Sequence, residues 1–157
     1  MRLHRIADLL KGFHTVLDIG TDHGLVLKYA FDQGYIKNGI ASDVNKEPLS
    51  SAKQTLNGYP VTFHLSNGFE QITEAFDAAV ICGMGAHLIT DIMHHAPQNE
   101  HVTYILGAHD KVERLRRWLA DNGFTITDET VVFDKFYYQL IVCKRGTMTL
   151  DEKQCHL

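Results

Sequence analysis

Leu17-Asp18-Ile19-Gly20-Thr21-Asp22-His23-Gly24 (LDIGTDHG) joins two apolar segments, and its reading decides the fold. The run that leads into it, Thr15–Ile19 (TVLDI), is short, apolar and rich in β-branched residues, as a buried strand is. The segment from Gly24 to Gln33 changes to helical spacing and stops at Gly34. Strand, glycine turn and helix in that order open a βα unit. In sheets built from such units, ligands bind outside the carboxyl ends of the strands, near the point where the strand order reverses. The turn is therefore the first candidate site.

Outward from the turn the alternation continues. Arg2 to Lys11 carries Leu3, Ile6, Ala7 and Leu10 at helical spacing, and Gly12 stops it. Gly39–Val44 (GIASDV) predicts a second strand, and Lys46 to Leu56 a helix with Pro48 in its first turn. Val61–Leu65 (VTFHL) predicts a third strand and Ala78–Cys82 (AAVIC) a fourth. Ala86 to His95 is a helical stretch ended by Pro97, Val102–Leu106 (VTYIL) a fifth strand, and Val112 to Asn122 a helix ended by Gly123. Val131–Phe133 and Phe136–Lys144 read as a closing strand pair around Asp134-Lys135. Strands alternating with helices imply a parallel sheet, and the final hairpin adds an antiparallel last strand. The expectation is one α/β domain over residues 1–146, with a seven-stranded, mostly parallel sheet, and a polar tail over residues 147–157.

Composition narrows the function classes. The chain has 157 residues, 45% of them hydrophobic and 22% charged, which suits one domain with a real core. A formal charge of −4 lacks the global basic excess of many nucleic-acid binders but leaves room for a local basic patch. Cys82, Cys143 and Cys155 form no CxxC pair, so a reducing cytoplasm is expected rather than a disulfide framework. The 10 histidines show no metal-ligand spacing, and no metal is expected. No secretion signal and no apolar run long enough for a membrane span is visible.

Two ligand classes compete for the turn. A dinucleotide needs GxGxxG, because its pyrophosphate rests on bare backbone at a helix N-terminus. Here only Gly20 and Gly24 are present, and Asp18 and Asp22 lie at the same edge. A phosphate beside two carboxylates is repelled by about 1 kcal/mol or more per close pair even in a wet site. S-adenosylmethionine carries a sulfonium and an ammonium instead, and the same carboxylates attract it. The turn matches DxGxGxG with Asp22 in place of the central glycine. Asp43 ends the second strand 23 residues after Gly20, where an acidic residue accepts ribose hydroxyls or, alternatively, caps the following helix. Ser66-Asn67-Gly68-Phe69 is either a plain turn or an adenine edge.

DIGTDHG, ASDVNKEPLSSAKQ, SNGF, ICGMGAHLI and LRRWLADNGFTI together closely resemble the bacterial tRNA adenine-N1 methyltransferases that modify position 22. The resemblance runs from about Arg2 to Gly146. It implies a Rossmann-like class I methyltransferase fold, S-adenosylmethionine as donor and tRNA as substrate. Carried over by position, it implies cofactor contacts at Asp18, Gly20, Asp22, His23, Asp43, Val44, Asn67, Gly68, Gly83 and Met84. Gly85 stands where the target base should meet the methyl group. The chain departs from the family's pattern at Ala86-His87 after GMG and at Leu106–Asp110 (LGAHD) after the fifth strand, both on the expected substrate side. The family continues into a C-terminal helical hairpin, of which Thr149–Leu157 (TLDEKQCHL) resembles the beginning.

Methylation at adenine N1 constrains the rest. N1 attacks with an in-plane lone pair and bears no proton, so alignment supplies most of the acceleration and no base is required. A carboxylate near the exocyclic amine would stabilise the cationic product. Asp22 is the candidate for that role or for holding the cofactor's ammonium; N-capping of the following helix is its structural alternative. His23 or His109 can hydrogen-bond the base. Phosphates need local cations. Arg2, Arg5 and Lys11 form one candidate cluster, and Lys111, Arg114, Arg116 and Arg117 a second. Trp118 and Leu115 are expected in the core, and one of Tyr137 and Tyr138 at the surface. A monomer or weak dimer is expected. A methyltransferase for another RNA or a small molecule, and a non-catalytic cofactor-binding module, remain the alternatives at this level.

Overall fold

A computed structural model describes residues 2–146. The tail assigned to residues 147–157 lies outside the described residues, as does Cys155. In chain order the elements are α1 (Arg2–Asp8), β1 (Thr15–Ile19), α2 (Leu25–Asp32), β2 (Asn38–Asp43), α3 (Lys46–Thr55), β3 (Val61–Leu65), β4 (Ala78–Met84), α4 (Ala86–Met93), β5 (Thr103–Ala108), α5 (Val112–Asp121), β6 (Phe124–Asp134) and β7 (Phe136–Arg145). The strands form one sheet in the order β3-β2-β1-β4-β5-β7-β6. β1 to β5 are parallel, and β7 is antiparallel to both β5 and β6. This is the expected Rossmann-like α/β sheet with an antiparallel last strand.

The order reverses between β1 and β4. From β1 the chain steps outward to β2 and β3, then returns to the other side of β1. The central strands β1, β2, β4 and β5 bury both faces, so their alternate residues feed two cores. Leu17, Ile81, Ile89, Met93, Tyr104, Leu115 and Leu119 pack on the α4–α5 side. Val16, Val80, Ile105, Ile6, Leu10, Leu27 and Leu56 pack on the side of α1, α2 and α3. Asp18 shares the parity of Val16 and so projects into this second, apolar layer.

Two expectations about the last third of the chain are corrected. Val131–Phe133 is only the end of β6, which begins at Phe124 and pairs along almost the whole length of β7. The segment Thr127–Thr130 hides the strand in the sequence because it is polar. An edge strand tolerates that, since its outer side faces water, and a register shift between Ile126 and Asp128 breaks the period of two.

Arg116 is the second correction. It does not join an exposed basic cluster. It is buried, and its Nε donates to Glu129 Oε1 on β6 at 2.8 Å, where Gln139 Nε2 also donates at 3.0 Å. The buried stripe of α5 is Leu115, Arg116 and Leu119, so helical phase turns Arg116 inward while Arg114 and Arg117 stay exposed. Trp118 stacks beside Phe124 with ring centroids 6.0 Å apart, half-buried against the core rather than within it. Removing one partner of a buried ion pair leaves the other uncompensated. Arg116→Ala is expected to lower stability in urea denaturation by about 3 kcal/mol. Arg117→Ala should change it by less than about 0.5 kcal/mol.

Candidate active site

The opening turn is built from left-handed residues. Gly20, Asp22 and Gly24 have φ of 71°, 52° and 73°. Asp tolerates this region better than most side chains, which is a local reason for a carboxylate at the centre of the turn. Gly20 N–H and Thr21 N–H both donate to the Ser42 carbonyl, at 3.0 and 2.9 Å, which folds the turn toward β2. A Cβ on Gly20 would lie 2.6 Å from Met84 Cε, so a side chain here would displace the Met84 tip as well as strain the left-handed backbone. Gly24 packs against α3, where a Cβ would lie 2.9 Å from Leu56 Cδ1.

Asp43 ties two loops together. Its Oδ2 accepts from Asp22 N–H at 3.3 Å and its Oδ1 from Asn45 N–H at 3.0 Å. It therefore stabilises the start of α3 and also fixes Asp22, combining the two readings of an acidic residue at this place. Val44 beside it is 62% exposed, an apolar surface next to a carboxylate. His23 is exposed, shares a hydrogen bond between Nδ1 and Ser51 Oγ at 2.7 Å, and lies 3.5 Å from Asp22 Oδ1 through Nε2. Asp22 does not cap α2. Gly24 holds the N-cap position, and the Asp22 carboxylate stands exposed at the rim beside His23.

A cavity of 330 Å³ opens where the strand order reverses. β1 and its turn contribute Asp18, Gly20, Thr21, Asp22 and His23, and β4 contributes Val80, Cys82, Gly83 and Met84. Arg2, Leu3 and Ile6 of α1 and Leu25 and Val26 of α2 complete it. Asp18 is buried in it and accepts a hydrogen bond from the Thr21 hydroxyl at 3.0 Å. Burial pushes its pKa up to about 7. The Thr21 bond opposes the rise, and the charges of Asp43 and Asp22 add to it. Burial likewise pushes the Cys82 thiol up to about 12, so it stays protonated and unreactive.

Gly83 has φ of 79°, and nothing lies within 4 Å of a Cβ built there. Asn67 is exposed and Gly68, at φ 61°, packs on Ile92; both line a separate hollow of 200 Å³ rather than the main cavity. Gly85 begins α4, and His109 is held behind it by its N–H donating to the Met84 carbonyl at 3.0 Å. Asp110, within the unexpected LGAHD segment, accepts from Ala86 N–H at 2.9 Å and so satisfies the first turn of α4. Arg5, Lys111, Arg114 and Arg117 are exposed and none lines the cavity.

The cavity role of Arg2, Leu3 and Thr21, and the capping by Asp110, were not legible in sequence. Arg2 reads there as one member of a basic helix, and no spacing signals that α1 roofs a pocket. Among the described residues, no group of three or more His, Cys, Asp and Glu is placed to hold a metal ion. No described helix is long and apolar enough to cross a membrane.

A doubly wound sheet with an acidic cavity at its reversal point defines a Rossmann-like methyltransferase domain, and residues 1–141 match the family model of a methyltransferase domain. Within that class, the chain belongs to the tRNA (m1A22) methyltransferase family. A Mycoplasma pneumoniae protein, provisionally described as a tRNA methyltransferase, is 31% identical over 98% of this chain and 76% of its own length. The tRNA (adenine(22)-N(1))-methyltransferase of Bacillus subtilis is 27% identical over 92% of this chain and 64% of its own length. TrmK of M. capricolum, solved in complex with S-adenosyl-homocysteine, superposes with a TM-score of 0.89 at 28% identity, covering 100% of this chain and 74% of that one. The chain thus spans about two thirds to three quarters of the length of these relatives.

Asp18 gives the site a pH signature. Between its ordinary value of 3.8 and about 7, the unfolded chain has lost this proton and the folded chain keeps it. The unfolded state binds fewer protons there, so this group's contribution to stability falls as pH rises and is constant above that window. Asp18→Asn retains an acceptor for Thr21. Its stability relative to the parent, followed by urea denaturation, is expected to rise from pH 4 to pH 7 by on the order of 4 kcal/mol. A pH-independent difference would contradict this.

Proposed function

We propose that this chain transfers the methyl group of S-adenosylmethionine to N1 of the adenine at position 22 of tRNA. The observation that carries the reading is the carboxylate-bearing cavity at the β1–β4 reversal, on a chain of this family. The residues fit the cofactor's chemistry. Asp18 in the cavity favours a cationic ligand, and the glycines at 20 and 83 leave its walls without side chains. Asp43 would accept ribose hydroxyls through the lone pairs that its two amide contacts leave. Val44 and the Asn67-Gly68 turn would face the adenine of the cofactor, with Gly83 and Met84 along its other side. Bound there, S-adenosylmethionine supplies a methyl carbon with a sulfur leaving group.

Burial divides the work between the carboxylates. Asp18, inside the cavity, answers the charge of the donor, and ionises when a cation arrives. Asp22 is exposed at the mouth and held by its backbone to Asp43, so its carboxylate is aimed without being desolvated. It would meet the exocyclic amine of the target base and stabilise the positive charge that grows on the ring. No side chain has to remove a proton, consistent with a neutral Cys82 as the available thiol. Gly85 and His109 border the place where the base enters, and Arg5, Lys111, Arg114 and Arg117 would contact phosphates.

Incubation with tRNA and labelled donor, followed by nucleoside analysis, is expected to yield 1-methyladenosine at position 22 and none when that position is guanine. Donor binding without 1-methyladenosine would overturn the proposal. Asp22→Asn should lower kcat by about 100-fold. Its donor Kd, measured by calorimetry, should move by less than about threefold, because the charge it loses acts on the base rather than on the ground-state complex. Donor binding near pH 6.5 should release protons, read as a dependence of calorimetric heat on buffer ionisation enthalpy; Asp18→Asn should abolish that release.

A further inference from the structure

The hairpin of β6 and β7 reaches past the edge that carries the site. The β5–β7 ladder ends at Ala108 and Gln139, at the carboxyl end of β5. The β6–β7 ladder continues through Val132 and Tyr138, Phe133 and Tyr137, and Asp134 and Phe136. Three pairs therefore extend about 10 Å beyond the last residue paired with β5, at 3.4 Å per residue.

The two faces of this ribbon differ. On one, Val132 packs with Ile6, Ala7 and Leu10, and the Arg2 guanidinium lies 4.3 Å above the Tyr138 ring. Arg2 N–H also donates to Asp134 Oδ2 at 3.3 Å. Since Arg2 lines the cavity, this face borders the site. The other face has the parity of Ile141 and Cys143 and so looks toward the α4–α5 side. It presents Phe133, 63% exposed, and Tyr137, 77% exposed, with ring centroids 5.0 Å apart. Val131 extends the patch, while Phe136, also exposed, has the parity of Tyr138 and lies on the Arg2 face. Lys135, exposed at φ 66°, forms the turn. Lys111 and Arg114, exposed on the same side of the sheet, begin α5.

Paired exposed aromatics are costly to leave in water and are not explained by the fold. Two aromatics and a valine on one face of a two-stranded ribbon fall short of the about 800 Å² per partner that a stable dimer buries. A surface of flat rings with lysine at its end and cations on the adjoining helix matches bases and phosphates together. We propose that the Phe133–Tyr137 pair is a stacking platform for an unstacked tRNA base that neighbours the target adenine. An RNA strand draped over the ribbon puts the target base on the Arg2 side, in the cavity, and the neighbouring base on the aromatic side. Adenine N1 is paired in a duplex, so this stacking offsets part of the cost of opening the target. The inference rests on tRNA being the substrate.

The test uses the full chain and tRNA carrying 2-aminopurine in turn at each nucleotide flanking the target. Binding to the parent should quench the fluorescence at one of the two positions. The Phe133→Ala, Tyr137→Ala double variant should lose the quench and raise KM for tRNA about tenfold or more, with donor Kd unchanged. Phe133→Trp should restore both. Unchanged quench and KM in a folded double variant would overturn the platform, as would a parent dimer that this variant converts to monomer with KM unchanged. Quench by the parent without methyl transfer would sink the proposed reaction and leave the platform standing.

Discussion

Asp18 is buried near the end of the central strand, in a layer that is otherwise apolar, with the Thr21 hydroxyl as its hydrogen-bond donor. A carboxylate there is expensive. Its pKa rises to about 7 because desolvation outweighs that bond. A fold that only needed a core would place valine at this position, as it does at Val16 and Val80 on the same face. The cavity around Asp18 is therefore electrostatically unfinished in a specific direction. It gains most from a ligand that brings positive charge, and the neighbouring Asp22 and Asp43 reinforce the sign.

The rest of the site follows from keeping that carboxylate accessible. The turn after β1 must leave the strand sharply and clear the space above Asp18. Three left-handed residues do this, and the Ser42 carbonyl holds the bend by accepting two amides. The left-handed φ of 71° at position 20 favours glycine, and a Cβ there would also have to push aside the Met84 methyl group. Asp43 then couples the turn to α3 through two amides, so the rim carboxylate of Asp22 is positioned by backbone rather than by its own side chain. On the far side of the cavity, Asp110 and the His109 amide lock the end of β4 to the end of β5. The segment that departs most from the family pattern thus supplies a helix cap. Local structure, more than direct contact with a base, accounts for its aspartate.

The apolar runs and glycine stops marked five parallel strands, the intervening helices and the final hairpin. They succeeded on the central strands, which are buried on both faces and nearly uniformly apolar, and on the edge strand β3, which is short and rich in β-branched and aromatic side chains. They missed Phe124–Thr130, because an edge strand needs to satisfy only one neighbour and one core face. Helical phase separates Arg116 from Arg114 and Arg117, but composition alone grouped all three as a basic cluster. Inward charge is invisible until its partner, Glu129, arrives from a strand 13 residues later.

For the candidate site, the sequence by itself determined the parts that are local in the chain: a turn too poor in glycine and too rich in carboxylate for a phosphate, and an acidic residue closing the second strand. The spacing of those groups along adjacent strands is a consequence of the βα repeat, so it can be read in one dimension. Tertiary structure alone decided that Arg2 and Leu3 roof the cavity, that Asp43 serves two loops at once, and that Phe133 and Tyr137 overhang the active edge. These depend on which strand lies beside which and on how far β6 and β7 outrun β5. Strand order and ladder length are set by the summed burial of both faces of the sheet, and no single stretch of sequence carries that sum.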